Sequence, residues 1–235
     1  MGLTPPVRRI AWDPTYRIVP SRFPPTGLFD AIADPADLDA VIALEGMTNP
    51  RLRQEAGRID LVPRQRRISG PGTTPVMAAF THLNPEGSRF SDGRYGVYYA
   101  ARDRDTAIAE TMHHKARFLR ATAEPACVLE MRAYCARVAG AFHDLRGGWP
   151  ELHDPDGYAR SRAAARALRE AGSDGLLFDS VRRPGGECVA AFHPDLVSPV
   201  RQQAHLYYHW DGRAFTHAVV AGEVIAAPIG ARERA

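Results

Sequence analysis

Lysine is nearly missing from this 235-residue chain: 29 of its 30 basic side chains are arginine, and Lys115 is the exception. Coding bias accounts for so one-sided a choice, and a net charge of +3 is too small to call for a nucleic-acid partner. Cysteine is scarce as well. Cys127, Cys135 and Cys188 show no paired metal spacing, which fits a reducing cytoplasm. No apolar run approaches the roughly 18 residues a membrane helix needs, and the opening "MGLTPPVRRIAWDP" has no apolar signal segment. A soluble, cytoplasmic protein with no membrane association is expected.

Common catalytic signatures are missing too. There is no GxSxG elbow, no P-loop and no GxGxxG after a strand, which removes the usual hydrolase and nucleotide patterns. Glu110 and His113 form an ExxH element, but a carboxylate-bridged di-metal site needs a second copy on another helix, and there is none. His82, His113 and His114 make no HxxxH or HExxH arrangement, so no metal is expected. Glycosidases acting on sugars want two carboxylates across a cleft, and only Glu110 stands out. The arginine-rich "RLRQEAGRIDLVPRQRR" (51–67) lacks the interleaved aromatics that stack bases. It reads as a solvated face or a docking surface for an acidic partner. A noncatalytic regulator binding nucleic acid through this stretch is the alternative from another class, and it would show strongly salt-dependent DNA binding.

What is present is a mixture of strands and isolated helices. "AWDPTYRIVP" has the aromatic and β-branched content of an early strand with Arg17 in its middle. Asp34 can cap a helix with Pro35 at its first position and Gly46 at its end, and Asn49-Pro50 repeats the pattern in miniature. Residues 60–75 read as loop. "YGVYYAA" is a compact strand, followed by a helix that Asp105 opens and that runs to about Leu119. "ACVLEMRA" alternates Cys127, Leu129 and Met131 on one side of a half-buried strand. Residues 157–171 form an Ala-rich helix that Gly172 ends. Two strands joined by Pro-Gly-Gly follow, then a hairpin whose Asp211-Gly212 suits a type I′ turn. This order predicts α+β rather than a doubly wound sheet, and the length favours one elaborated domain over residues 1–235.

The helix after Asp105 carries the chemistry. Ile108, Met112, Ala116 and Leu119 make one apolar row, and Ala107, Thr111, His114 and Phe118 make a second, with Glu110 beside it. A carboxylate between apolar rows is partly buried, where an unpaired charge costs several kcal/mol of solvation, so it calls for a nearby cation. By itself, Glu110 also suits an ordinary surface pair with His114 or an arginine.

Four ordered segments add a resemblance. "YRIVPSRFPP", "GSRFSDGRYGVYYAA", "DTAIAETMHH" and "GSDGLLFDSVRRPGGECVAAFHP" together resemble the RES domain, the toxin half of bacterial RES-Xre toxin-antitoxin pairs, from about Tyr16 to Pro194. The extra segments "TNPRLRQEAG" and "FTHLNPEGSRFSDG" are similar to the longer-form branch whose members act as mono-ADP-ribosyltransferases. Other relatives consume NAD+ by hydrolysis or phosphorolysis. The resemblance implies an ADP-ribosyltransferase-like fold, a split mixed β-sheet with flanking helices, here with an N-terminal helical elaboration and a C-terminal β-hairpin extension. It implies NAD+ as substrate, a protein target for the ADP-ribose, and an Xre-type DNA-binding antitoxin that blocks the cleft.

Carried over residue by residue, the resemblance makes Arg17, Glu110 and Ser180 the catalytic set. NAD+ binding falls to Arg17, Arg89, Phe90, Ser91, Tyr98 and Ser180. Ile18 stands where some relatives place a tyrosine, which changes one pocket wall. Tyr98 and Tyr99 point to opposite faces of a strand, so one of them lines the pocket; Tyr98 is the choice, with Tyr99 taking its place if the register slips by one. Arg17 and Arg89 suit the pyrophosphate through the paired hydrogen bonds of the guanidinium fork.

Overall fold

The early strand forms and is longer than expected. In the computed structural model, which describes residues 4–21, 27–32, 34–45, 57–220 and 223–226, β1 spans Val7–Pro20. It pairs antiparallel along almost its whole length with β3 (Cys127–Asp144), and the register shifts between Trp12 and Thr15. Pro14 lies in that interval and has no N–H to give to a ladder, so a break is expected there. β3 keeps the alternation read for Cys127, Leu129 and Met131, with Val128 and Glu130 exposed between them.

β3 is also where the sheet divides. One edge carries β1. The other carries β6 (Arg201–Trp210) along its first half, and β4 (Gly175–Asp179) pairs in parallel at His143 and Asp144. Between the two, Val138 bridges Val197, and Ser198 exchanges hydrogen bonds with Arg137. From β4 the sheet continues antiparallel through β5 (Glu187–Ala191) and β2 (Tyr98–Ala101), which returns to β1 at Tyr16 and Ala101. From β6 it continues into β7 (Phe215–Val220) and β8 (Glu223–Ala226). The α+β expectation of a split mixed sheet with flanking helices is borne out.

Helices cover both faces. On the first, α4 (Arg104–Ala121) and α5 (Ala159–Glu170) enclose a core containing Ile18, Phe90, Met131, Phe178 and Tyr208. On the second, α1 (Leu28–Ala31), α2 (Leu38–Glu45) and α3 (Thr74–Thr81) enclose Tyr98, Tyr134, Leu177 and Val189. Neighbouring strand residues therefore serve different cores. None of these helices is long and apolar enough to cross a membrane, among the described residues.

Local signals held in part. Asp34 caps as expected, accepting from the Ala36 N–H at 2.8 Å, but Pro35–Asp37 form a 3-10 turn before α2 begins. Helix α4 is capped by Asp103 rather than opened by Asp105, because the Asp103 carboxylate takes both the Thr106 N–H (2.8 Å) and its hydroxyl (2.7 Å). Helix α5 stops as read, at Gly172 with φ +86°. The hairpin turn is not type I′, since Asp211 does not take the positive φ that turn requires. Its carboxylate instead accepts from the Arg213 and Ala214 N–H groups across a four-residue loop. The expected loop at 60–75 contains 3-10 turns at Ile59–Leu61 and Arg64–Arg66. The helix expected after Asn49, and Gly46, lie outside the described residues.

Candidate active site

Helix α4 keeps one apolar row and loses the other. Ile108, Met112, Ala116 and Leu119 are buried, whereas the second row is buried only at Ala107 and leaves the core by His114 and Phe118, the latter 60% exposed. A straight helix on a sheet buries one stripe, so the row beside it opens toward solvent. Glu110 stands on that border, with its side chain 23% exposed.

Its partner is a hydroxyl. Ser180, at the end of β4, donates from Oγ to Glu110 Oε1 at 2.6 Å. Strand pairing delivers the serine, and the chain turns sharply after it: the Ser180 N–H donates to Gly186 O, and Ser180 Oγ accepts the N–H groups of Arg182 and Arg183 at 3.1 Å each. With two donors aimed at its oxygen, the hydroxyl proton is committed to Glu110. The cation expected beside Glu110 is therefore replaced by a polarised hydroxyl. His114 Nε2 approaches the carboxylate at 4.0 Å, but the partial desolvation of its half-open ring and then the charges of Arg182 and Arg89 push its pKa down to about 4, so the ring is neutral near pH 7 and makes no ion pair there.

The two tyrosines part as strand geometry requires. Tyr98 is 1% exposed in the core of the second face, under the Arg17 guanidinium at 4.8 Å. Tyr99 faces the Glu110 side, where its ring meets Phe90 and Phe178, and its hydroxyl accepts the Phe90 N–H at 2.9 Å and bonds Ser88 Oγ at 2.8 Å. Tyr99 is thus the tyrosine on the Glu110 side, whereas Tyr98, the residue chosen from the sequence, lies on the opposite face.

Arg17 follows Tyr98. Tyr16 and Ile18 pack into the core beneath α4, so Arg17 between them points to the opposite face, where Nη1 donates to Tyr99 O at 3.0 Å. Burial holds its pKa below the ordinary arginine value. The structure does not bring Arg17 to Glu110 and Ser180.

Arg89 lies on the Glu110 side. It donates to Asp154 O at 2.8 Å and Leu152 O at 3.3 Å and lies over the Tyr158 ring at 4.7 Å, which fastens the loop after β3 across the first face. Phe90 is fully buried, and Ser91 closes a turn on Tyr95 O, so both shape the wall from within. Sequence reading missed His153. Its Nε2 accepts the Asp179 N–H at 3.2 Å, which leaves Nδ1 to donate to Trp149 O, and the strand end bearing Ser180 is held from behind. No motif marks that residue.

The histidines beside the site give stability a pH dependence. In an unfolded chain each ring titrates near 6.5, whereas burial and then Arg182 push His113 down to about 4, like His114. Between those values the unfolded chain binds protons that the folded chain does not. The stabilisation is complete above pH 6.5 and is lost as pH falls toward 4. Chemical denaturation across this window is expected to show that decline, and a His113→Gln/His114→Gln variant is expected to flatten it. The larger share belongs to His113, since the His114 side chain is 56% exposed; an unchanged slope in the variant would refute the assignment.

A carboxylate on a helix bonded to a serine at a strand end, on one face of a mixed sheet with flanking helices, defines an α+β protein with a paired polar site on its first face. The chain belongs to the RES domain family, whose model matches residues 64–211. It is similar to the uncharacterized protein y4oC of Sinorhizobium fredii, with 32% identity over 203 residues, 85% of this chain and 84% of that protein. Among solved structures it is similar to the Mycobacterium tuberculosis MbcT-MbcA toxin-antitoxin complex, with 14% identity, 87% of each chain covered and a TM-score of 0.44.

Proposed function

We propose that this chain is the toxin of a toxin-antitoxin pair, and that it breaks the nicotinamide–ribose bond of NAD+ and transfers ADP-ribose to a bacterial protein. The observation that carries the reading is the 2.6 Å bond from Ser180 to Glu110 on a half-open helix face. The nicotinamide of NAD+ is a positively charged leaving group that departs neutral, so the demand on the enzyme is to stabilise positive charge developing on the ribose. Glu110 supplies the negative charge, and Ser180 holds one of its oxygens so that the other faces the substrate. Tyr99, Phe90 and Arg89 shape the wall. A small DNA-binding antitoxin of the Xre type is the expected partner, covering the cleft.

The openness of Glu110 to solvent favours a second reading, in which water or phosphate accepts the ADP-ribose. Incubation of purified protein with labelled NAD+ and a cell extract separates the two: labelled protein bands support transfer, and free ADP-ribose or its phosphate supports breakdown. Absence of nicotinamide release would refute both.

Among the described residues of the arginine-rich stretch, 57–67, the charges do not support the nucleic-acid alternative. Arg58 pairs with Asp60, Arg64 and Arg67 with Asp39, and Arg66 with Asp195, so these cations are already engaged within the chain.

Arg17→Ala distinguishes the two faces of the sheet. The substitution is expected to leave KM for NAD+ within about twofold. It is expected to lower folding stability by about 1–3 kcal/mol, through the lost hydrogen bond to Tyr99 O and the lost stacking on Tyr98. A large rise in KM with unchanged stability would return Arg17 to the binding site.

A further inference from the structure

Two arginines follow Ser180 and are used differently. Arg183 approaches Asp103 at 3.4 Å and Asp105 at 3.7 Å, at the start of α4. Arg182 has no carboxylate within ion-pair distance among the described residues. Its Nη2 donates to the Pro155 carbonyl, and its Nε is buried without a hydrogen-bond partner. A guanidinium satisfied by one neutral carbonyl keeps charge and donors for a further acceptor.

Its position is fixed from three sides. The Arg182 N–H is bonded to Ser180 Oγ, so the side chain leaves the chain two residues beyond the serine that holds Glu110. Its tip reaches the loop that Arg89 also fastens, at Pro155 beside Asp154. Arg182 is also the strongest charged influence on both His113 and His114. It therefore lies beside the Ser180–Glu110 pair, on the same side as His113 and His114, where Arg89 adds a second positive charge.

We propose that Arg182 anchors the pyrophosphate of a dinucleotide substrate beside the Ser180–Glu110 pair. The inference deepens the NAD+ reading and rests on it. A planar guanidinium matches phosphate oxygens in pairs, and charge-assisted hydrogen bonds of this kind are the strong ones. A nicotinamide riboside, which has no phosphate, gains nothing from Arg182. The residue thus selects the dinucleotide over the nucleoside with the same scissile bond. It takes the anchoring role that the family resemblance gave to Arg17 alongside Arg89.

Arg182→Met keeps the length and apolar stem of the side chain and removes its charge. Calorimetric titration with inorganic pyrophosphate and with ADP-ribose is expected to show binding to the wild-type chain and about a tenfold or greater loss in the variant. With NAD+, KM is expected to rise by a similar factor while kcat stays within about threefold, and turnover of nicotinamide riboside is expected to be unchanged. A residue that merely clips the Pro155 loop would instead lower the thermal midpoint and slow both substrates alike. If Arg182→Met does not fold, Arg182→Lys keeps the charge without the fork and is expected to lose about tenfold of the pyrophosphate affinity. Equal pyrophosphate affinity in wild type and variant overturns the proposal, and so does a wild-type chain that binds neither probe. A wild-type chain that binds pyrophosphate through Arg182 yet releases no nicotinamide from NAD+ supports the anion site and sinks the catalytic reading.

Discussion

Glu110→Gln is expected to reduce nicotinamide release from NAD+ by about a hundredfold or more while leaving the thermal midpoint near that of the wild type. The amide has almost the same shape, and its oxygen can still accept the Ser180 hydroxyl that now binds Oε1 at 2.6 Å. What disappears is the negative charge that the proposed mechanism sets opposite the ribose cation. Removing one electrostatic stabiliser of a transition state costs on the order of a hundredfold to a thousandfold in kcat. The fold has little stake in that charge, because Glu110 makes no close ion pair with His114, whose ring is neutral near pH 7. The loss should therefore appear in kcat, with KM nearly unchanged. A purified glutamine variant turning over at the wild-type rate would remove Glu110 from the chemistry.

The second large effect belongs to a glycine at the opposite end of β4 from Ser180. Gly175 opens β4 with φ +148°, and a Cβ built there would lie 2.1 Å from the Ala190 carbonyl oxygen of β5. Gly175 pairs with Ala191 in the ladder, so the clash is with backbone that cannot move alone. Gly175→Ala is expected to cost about 3 kcal/mol or more, joining the strain of that backbone region to the overlap. Because β4 delivers Ser180, NAD+ cleavage should fall with stability. Gly172→Ala is the control: its φ is +86° but nothing lies within 4 Å of the added carbon. Its cost should stay near 1 kcal/mol, the conformational part alone. Comparable denaturation midpoints for the two variants would show that the β4–β5 approach tolerates a side chain.

Much of the local structure was legible. The buried row of α4, the alternation of β3 and the glycine stop of α5 each depend on neighbours within a few residues. The misread features had a rival donor or acceptor nearby. Asp103 outcompeted Asp105 as the cap because its carboxylate reaches both the N–H and the hydroxyl of Thr106. Asp211 bonded the two N–H groups beyond it, so the hairpin did not need the I′ geometry.

The site divides in the same way. Short-range order already implies that Tyr98 and Tyr99 separate, and that Arg17 faces away from Tyr16 and Ile18, since successive strand side chains alternate. Which face meets Glu110 is not a local property. It depends on β2 pairing with β5, on β1 pairing with β3, and on α4 settling over one side of the closed sheet. The meeting of Ser180 with Glu110, 70 residues apart, arises in the same long-range packing. Periodicity tells a chain how its side chains alternate, and only the burial of one face against particular helices tells it which alternate goes where.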